Sequence, residues 1–399
     1  MAYNDRDKFD SLLHELDQEI GQITAMLREN KIFCTGNSHI DMAWLWRYDE
    51  TIRVCRETFK QSLLFCDEFP EFRFSQSQVQ TYAWMEENYP ALFKQIQDKI
   101  ARGQWEIVGG MWVEPDCNLP SGESLTRQLL YGKKYIQEKF GYDVKIGWNP
   151  DSFGYSWQLP QIYLKSGIDY FVFTKLTWND TTEFPYNVFW WESPDGSRIL
   201  SAMPAGYSAR INQDELALNF NRFKQKNKVT DMLYLYGVGD HGGGPTREDI
   251  NTGQQLARSP IFPQTQFAAA ADYFSEISTK SAALPVWKDE LYLETHRGTY
   301  TTQAKTKKNN RRAEWLMYSS ELWASISNLL FDFKYPKPKF QALWKKINFN
   351  QFHDILPGSA ISEVYLDAGK DYQVVFSSGE IIRTQALKSI TENINTETN

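Results

Sequence analysis

The chain has 399 residues, with 43 Lys and Arg against 50 Asp and Glu, a formal charge of −7, 42% hydrophobic residues and 23% charged ones. That length suggests two or three domains with ample core, and the composition excludes global disorder, collagen and coiled-coil arrays. The mild acidity disfavours a nucleic-acid partner, which needs a basic face.

Aromatic residues reach 15%, with 14 Trp, 21 Tyr and 25 Phe. Most must be core, and the surplus suits a ligand site of flat apolar surfaces, with sugars among its ligands. The N-terminal stretch MAYNDRDKFD lacks the apolar segment of a signal peptide. No run approaches the roughly 18 apolar residues of a membrane span. Cys34, Cys55, Cys66 and Cys117 form no CxxC pair and read as reduced thiols, so a cytoplasmic location without a membrane partner is expected.

Residues 5–29 read as one amphipathic helix, with His14 on its surface. Short apolar runs then alternate with stretches of helical period: KIFCTG near residue 33, FRFSQSQ near 74, WEIVGG near 107, VKIGWN near 146, YFVFTKL near 172 and MLYLYG near 234. TYAWMEENYPALFKQIQDKIARG has the i, i+3, i+4 spacing of one helix closed by Gly103, and another helix starts at Ser121 with Glu123 in its first turn. Strands alternating with helices argue for a parallel βα sheet or an open barrel. FWWESPDGSRILSAMP reads as a hairpin turning at Asp195-Gly196 and decorating that core.

After Pro285 the pattern changes, and from about Gln303 three long helical segments predict a second domain of packed helices. The division is therefore 1–285 and 286–399. The basic cluster Lys305, Lys307, Lys308, Arg311 and Arg312 reads as a solvated helix face, not a phosphate patch.

In a βα architecture, functional residues gather past the C-terminal ends of strands. His39 and Asp41 of SHID follow the first strand, and side chains at i and i+2 in extended chain project together, as a divalent metal requires of one segment. A capping Asp beside a hydrogen-bonded His reads the same residues without a metal. Asp151 of GWNPDSFG follows the strand near 146 and equally suits a helix N-cap. Asp240 and His241 of YGVGDHGGGPT follow the strand near 234. The glycine run there lets backbone approach a ligand, but the G-K-[ST] ending of a phosphate loop is missing. His353 and Asp354 of NFNQFHDILPGS stand near the end of a helix, and His296 of ETHRGTY sits in a loop with a structural reading favoured.

Together GNSHIDMAW, GWNPDSFG, YGVGDHGGGPT, YLETHRGTYTTQAKTKKNNRRAE and NQFHDILPGS, in that order from about Ile32 to Ser359, resemble the class II α-mannosidases of glycoside hydrolase family 38. The G-D-x-G-G-G-P-T form is similar to that of the bacterial and cytosolic branch. The resemblance implies a seven-stranded, barrel-like βα catalytic domain followed by a three-helix bundle. The family's large C-terminal β-sandwich domains, which help close its site, are expected to be absent here. It implies zinc, or another divalent metal, held by His39, Asp41, Asp151 and His353, with Phe352 where the family has the first His of H-H-D. It makes Asp151 the nucleophile. The acid/base slot, G-D-D in some relatives, reads Gly239-Asp240-His241, giving Asp240 or alternatively His241. Trp44 matches the tryptophan against bound mannose, Asp354 the residue that binds sugar hydroxyls, and Lys175 and Tyr207 are further candidate substrate contacts.

The implied activity is hydrolysis of terminal α-linked mannose from an oligosaccharide with retention, through a mannosyl-Asp intermediate. Two carboxylates and two neutral imidazoles suit Zn²⁺, and vicinal mannose hydroxyls are good oxygen ligands. Retention requires carboxyl groups about 5–5.5 Å apart. Two alternatives stay open at this point: a metal-dependent deacetylase or amidohydrolase, whose metal holds the hydrolytic water, and a non-catalytic sugar-binding fragment. A homo-oligomer also stays open, as does the linkage cleaved.

Overall fold

A computed structural model describes residues 6–225 and 228–395. Its strands are β1 (Lys31–Gly36), β2 (Phe74–Gln76), β3 (Trp105–Ile107), β4 (Ile146–Trp148), β5 (Tyr170–Val172), β6 (Val188–Glu192), β7 (Arg198–Ala202), β8 (Met232–Tyr236), β9 (Gln264–Phe267) and β10 (Val286–Trp287). The helices up to the last strand are α1 (Arg6–Arg28), α2 (Tyr48–Glu68), α3 (Val79–Asn88), α4 (Pro90–Ala101), α5 (Gly122–Phe140), α6 (Leu159–Lys165), α7 (Gln213–Arg222), α8 (Arg247–Arg258) and α9 (Ala270–Ser278). Beyond it come α10 (Ala304–Leu330), α11 (Lys337–Asn350) and α12 (Ser362–Thr391), which pack on one another. No helix among the described residues is long and apolar enough to cross a membrane.

The apolar runs form strands because both of their faces are covered, as in other parallel sheets; β8, MLYLY, is buried at every position. The described strands divide into two five-stranded sheets. In the first sheet β1 is central. It pairs with β8 along its length on one side, and with β9 at its start and β2 at its end on the other, β3 lying beyond β2, all parallel. The second sheet runs β10-β6-β7-β5-β4. Two backbone hydrogen bonds link the sheets: Gly109 N, just past β3, donates to Ile146 O of the edge strand β4 (2.7 Å), and Gly237 N, just past β8, donates to Ala209 O in the loop after β7 (2.9 Å). The parallel strands of both sheets thereby send their C-terminal ends toward one basin.

Four expectations change. The helix foreseen across 81–103 is two, broken at Tyr89, because Pro90 has no N–H to continue the ladder and is instead tolerated at the start of α4. The hairpin of β6 and β7 forms as expected but is not an ornament: β7 pairs parallel with β5 and so belongs to the second sheet. That sheet runs past residue 285, since Val286 and Trp287 pair with Trp190 and Trp191. The helix expected to carry His353 ends at Asn350, leaving the histidine in the turn after it. The N-terminal helix spans Arg6–Arg28, and residue 5 of the expected range lies outside the described residues.

Helix α5 shows how tightly the layers meet. A Cβ on Gly132 would stand 2.1 Å from Gly110 O, in the loop leaving β3. Helix propensity alone makes Gly132→Ala stabilising by about 1 kcal/mol. The contact predicts the opposite sign, a loss of about 2 kcal/mol, measurable by urea unfolding.

Candidate metal centre and catalytic basin

The basin is built from the segments that follow the parallel strands. His39 and Asp41 come after β1, Gln78 after β2, Glu114 after β3, Asp151 after β4, Lys175 after β5, Tyr207 after β7 and Asp240 after β8. His353 and Asp354 arrive from the opposite quarter, in the turn after α11. That turn is stitched to the strand-end loops by backbone hydrogen bonds: His353 N donates to Glu114 O (3.2 Å), Asp116 N to Gln351 O (2.8 Å) and Ile361 N to Trp44 O (2.9 Å).

These stitches bring His353 to groups 314, 312 and 202 residues away in the chain, His39, Asp41 and Asp151. His353 Nε2 lies 3.4 Å from Asp41 Oδ1 and 3.6 Å from Asp151 Oδ2, and its ring stacks on that of His39 with centroids 5.3 Å apart. His39 Nε2 lies 2.8 Å from Asp41 Oδ1. All four side chains are buried. Their facing atoms His39 Nε2, Asp41 Oδ1 and His353 Nε2 make no hydrogen bond, a costly state for buried polar atoms. A tetrahedral ion with bonds of about 2.0–2.1 Å has ligand edges of about 3.4 Å. The donor set therefore fits a divalent zinc-like ion.

The imidazoles are aimed from behind. Glu114, absent from the sequence-based candidates, backs both: its Oε2 stands at an ion-pair distance of 3.0 Å from His39 Nδ1, and its backbone carbonyl accepts from His353 Nδ1 at 2.8 Å. A carbonyl can only accept, so Nδ1 carries the proton and neutral His353 presents a bare Nε2. Glu114 is itself gripped by Ser77 Oγ and, through its N–H, by Gln78 Oε1 (3.1 Å), while Gln78 Nε2 donates to Ile40 O (2.6 Å). Gln78 sits at φ 65°, a strained conformation for a non-glycine residue that its doubly held amide sustains. The signal available in the sequence was another acidic residue past a strand end.

Charge in the basin is self-compensating. Burial pulls the His353 imidazolium down, but the Asp151 and Asp41 carboxylates outweigh it and push it up to about 10. Burial raises Asp151, yet His353 and the Lys175 ammonium hold it well below the usual carboxylate range. Burial and the charge of Asp41 push Asp354 up to about 7. A divalent ion would displace the imidazolium protons and stand in for their charge.

Around this centre, Lys175 Nζ donates to Asp151 Oδ1 (2.5 Å) and Tyr207 Oη to Asp240 Oδ1 (2.8 Å), so neither side chain is free for a ligand alone. Burial, with the charges of Asp151 and Asp240, holds the Tyr207 phenol well above its ordinary value. Asp240 adopts φ 64°, which turns its carboxylate toward His39 and Asp41 and sends the next residue outward. His241 is on the outer surface, 2.7 Å from Glu50 Oε1 and edge-on to Trp46. Trp44 is half-buried beside the basin, and Phe352 is fully buried with its ring 4.1 Å from that of His353, offering no ligand atom. His296 is half-buried against Phe153; His14 is exposed.

Lys305, Lys308, Arg311 and Arg312 of the basic cluster of α10 are exposed, as a solvated face requires, whereas Lys307 turns inward. Lys307 is partly buried and donates to Leu356 O (3.0 Å) and Pro357 O (2.9 Å), and burial pulls its ammonium down to about 8. One and two turns on, Asn310 and Glu314 accept from Gln351 Nε2. This face of α10 grips the turn that carries His353.

Residues 29–290 match the Glycosyl hydrolases family 38 N-terminal domain, and residues 294–390 match the Alpha mannosidase middle domain. The chain is 38% identical over 365 residues to Alpha-mannosidase G of Dictyostelium discoideum, covering 91% of this chain and 34% of that protein. It is 39% identical over 374 residues to Alpha-mannosidase of Saccharomyces cerevisiae, covering 90% and 34%. The crystal structure of an alpha-mannosidase from Enterococcus faecalis superimposes with a TM-score of 0.81 at 21% identity, over 92% of this chain and 43% of that one. The chain thus spans about a third of the length of these two sequence relatives.

Because Glu114 aims His39 through its carboxylate, Glu114→Gln is expected to weaken Zn²⁺ binding about tenfold. Competition with a chromogenic chelator measures this directly.

Proposed function

The chain belongs to glycoside hydrolase family 38, and on that premise we propose that it is a zinc-dependent retaining α-mannosidase acting on terminal α-linked mannose of oligosaccharides. The observation that carries the reading is the approach of His353 Nε2 to Asp41 and Asp151, within 3.4 and 3.6 Å. In the same reading the two sheets are arcs of one open barrel and α10–α12 are its helical bundle. A cytoplasmic location, expected from four buried free thiols, belongs to it as well.

His39, Asp41, Asp151 and His353 would hold the ion. Zinc, when bound, supplies a Lewis-acidic centre to which vicinal mannose hydroxyls can bind as oxygen ligands. Asp151 is kept ionised by Lys175, and its carboxylate attacks the anomeric carbon as the glycosidic bond breaks. Asp240, with Oδ1 fixed by Tyr207, carries on Oδ2 the proton that the departing oxygen takes. In the second half-reaction Asp240 takes a proton from water, whose oxygen displaces Asp151 and restores the α-anomer. Asp354 accepts from a sugar hydroxyl, and the Trp44 ring lies against the apolar face of the sugar. His241 is committed to Glu50 on the outer face, which favours Asp240 as the acid/base.

A fluorinated mannosyl fluoride that traps glycosyl-enzymes is expected to label the peptide containing Asp151, as read by mass spectrometry. Labelling elsewhere, or a β-configured first product, would overturn the retaining assignment; mannose binding without turnover would favour a sugar-binding role. Asp240→Asn should lower kcat roughly 100-fold or more, with His241→Ala near wild type. A reversed order would exchange their roles.

A further inference from the structure

Four rings lead from the metal centre to the surface. Phe153 meets His353 at 5.8 Å between centroids, His296 meets Phe153 at 4.6 Å, and Trp178 meets His296 at 6.0 Å. Exposure rises along the series, from buried His353 and Phe153 through half-buried His296 to Trp178, which is 56% exposed. A tryptophan so exposed, three residues from a buried lysine paired with Asp151, is unlike the core aromatics that dominate the chain. Its inner side is accounted for, since the Lys175 ammonium lies 4.2 Å from the ring centroid. Its outer side has no such role.

The turn that carries Trp178 is braced against the loop that carries His296. Asn179 Nδ2 donates to Tyr292 O (3.1 Å), Glu294 N donates to Asn179 Oδ1 (2.9 Å), and the N–H groups of Thr181 and Thr182 both donate to Glu294 Oε2 (2.9 and 3.0 Å). Trp178 also lines a cleft of about 710 Å³ between the end of β7 and the start of β8, within the roughly 300–1,000 Å³ of ligand clefts. Asn187, Arg222 and the Glu183–Lys224 pair set hydrogen-bonding groups along its wall. A flat ring leading into a cleft with mixed polar and apolar walls suits a sugar, which has an apolar face and a polar rim.

We propose that Trp178 is the stacking platform of a leaving-group subsite, and that the departing portion of the substrate is a multi-residue glycan running over this ring into the cleft. The proposal rests on the α-mannosidase reading and adds to it where the substrate's reducing side is held. Trp178 is then a specificity residue: it distinguishes a glycan leaving group from a small one without altering the bond-breaking step.

The test compares an α-linked mannotriose with α-mannosyl fluoride, whose leaving group has no ring to stack. Trp178→Ala should lose about tenfold in kcat/KM on mannotriose and stay near wild type on the fluoride, with Trp178→Phe recovering most of the loss. Equal losses on both substrates would show that Trp178 acts only by shielding Lys175, and unchanged kinetics on both would show no role; either overturns the subsite. Wild-type protein inert toward both substrates would strike the mannosidase reading instead. The platform is then judged by calorimetric titration with mannotriose: about tenfold weaker binding by Trp178→Ala supports it, and equal binding overturns it.

Discussion

His39, Asp41, Asp151, His353 and Asp354 are all buried, and their ligand atoms crowd within a few ångströms in overlapping trios. Isolated charges in such a place would cost far more than a domain's net stability. They are tolerated because each carboxylate faces an imidazole or an ammonium, and a cation bound among the facing nitrogen and oxygen atoms would balance them further. That electrostatic constraint is what the rest of the fold serves. The parallel strands deliver the carboxylates to one rim, and the helical segment must reach that rim with its imidazole for the charges to balance.

The reach is secured by elements with no chemistry of their own. Glu114 touches both histidines, one through its carboxylate and one through its carbonyl, so a single residue after β3 sets the direction of two ligands from opposite ends of the chain. Lys307, Asn310 and Glu314 hold the 351–357 turn from the other side.

How far the site was legible follows from which interactions are local. His39 and Asp41 could be paired because i and i+2 in extended chain point one way, and Asp151 and Asp240 were marked by their places after strongly apolar strands. The meeting of His353 with them came from resemblance, since nothing local in NQFHDIL says what its imidazole faces. Glu114 and Gln78 were missed because their roles depend on packing between loops of different strands. GDHGGG does not say which of Asp240 and His241 faces the basin; a left-handed backbone at Asp240 turns its carboxylate inward and His241 outward, which no side-chain pattern announces. In the fold, strands and long helices followed from periodicity. The break at Pro90 shows a local steric rule overriding an unbroken apolar pattern, and the two-sheet grouping reflects pairings between distant segments.

Crystals grown with zinc and measured across the zinc absorption edge address the central claim most directly. The account predicts one anomalous peak bonded, at about 2.0–2.2 Å, to His39 Nε2, Asp41, Asp151 and His353 Nε2. A peak that excludes His353, or no peak in the basin at all, would contradict it.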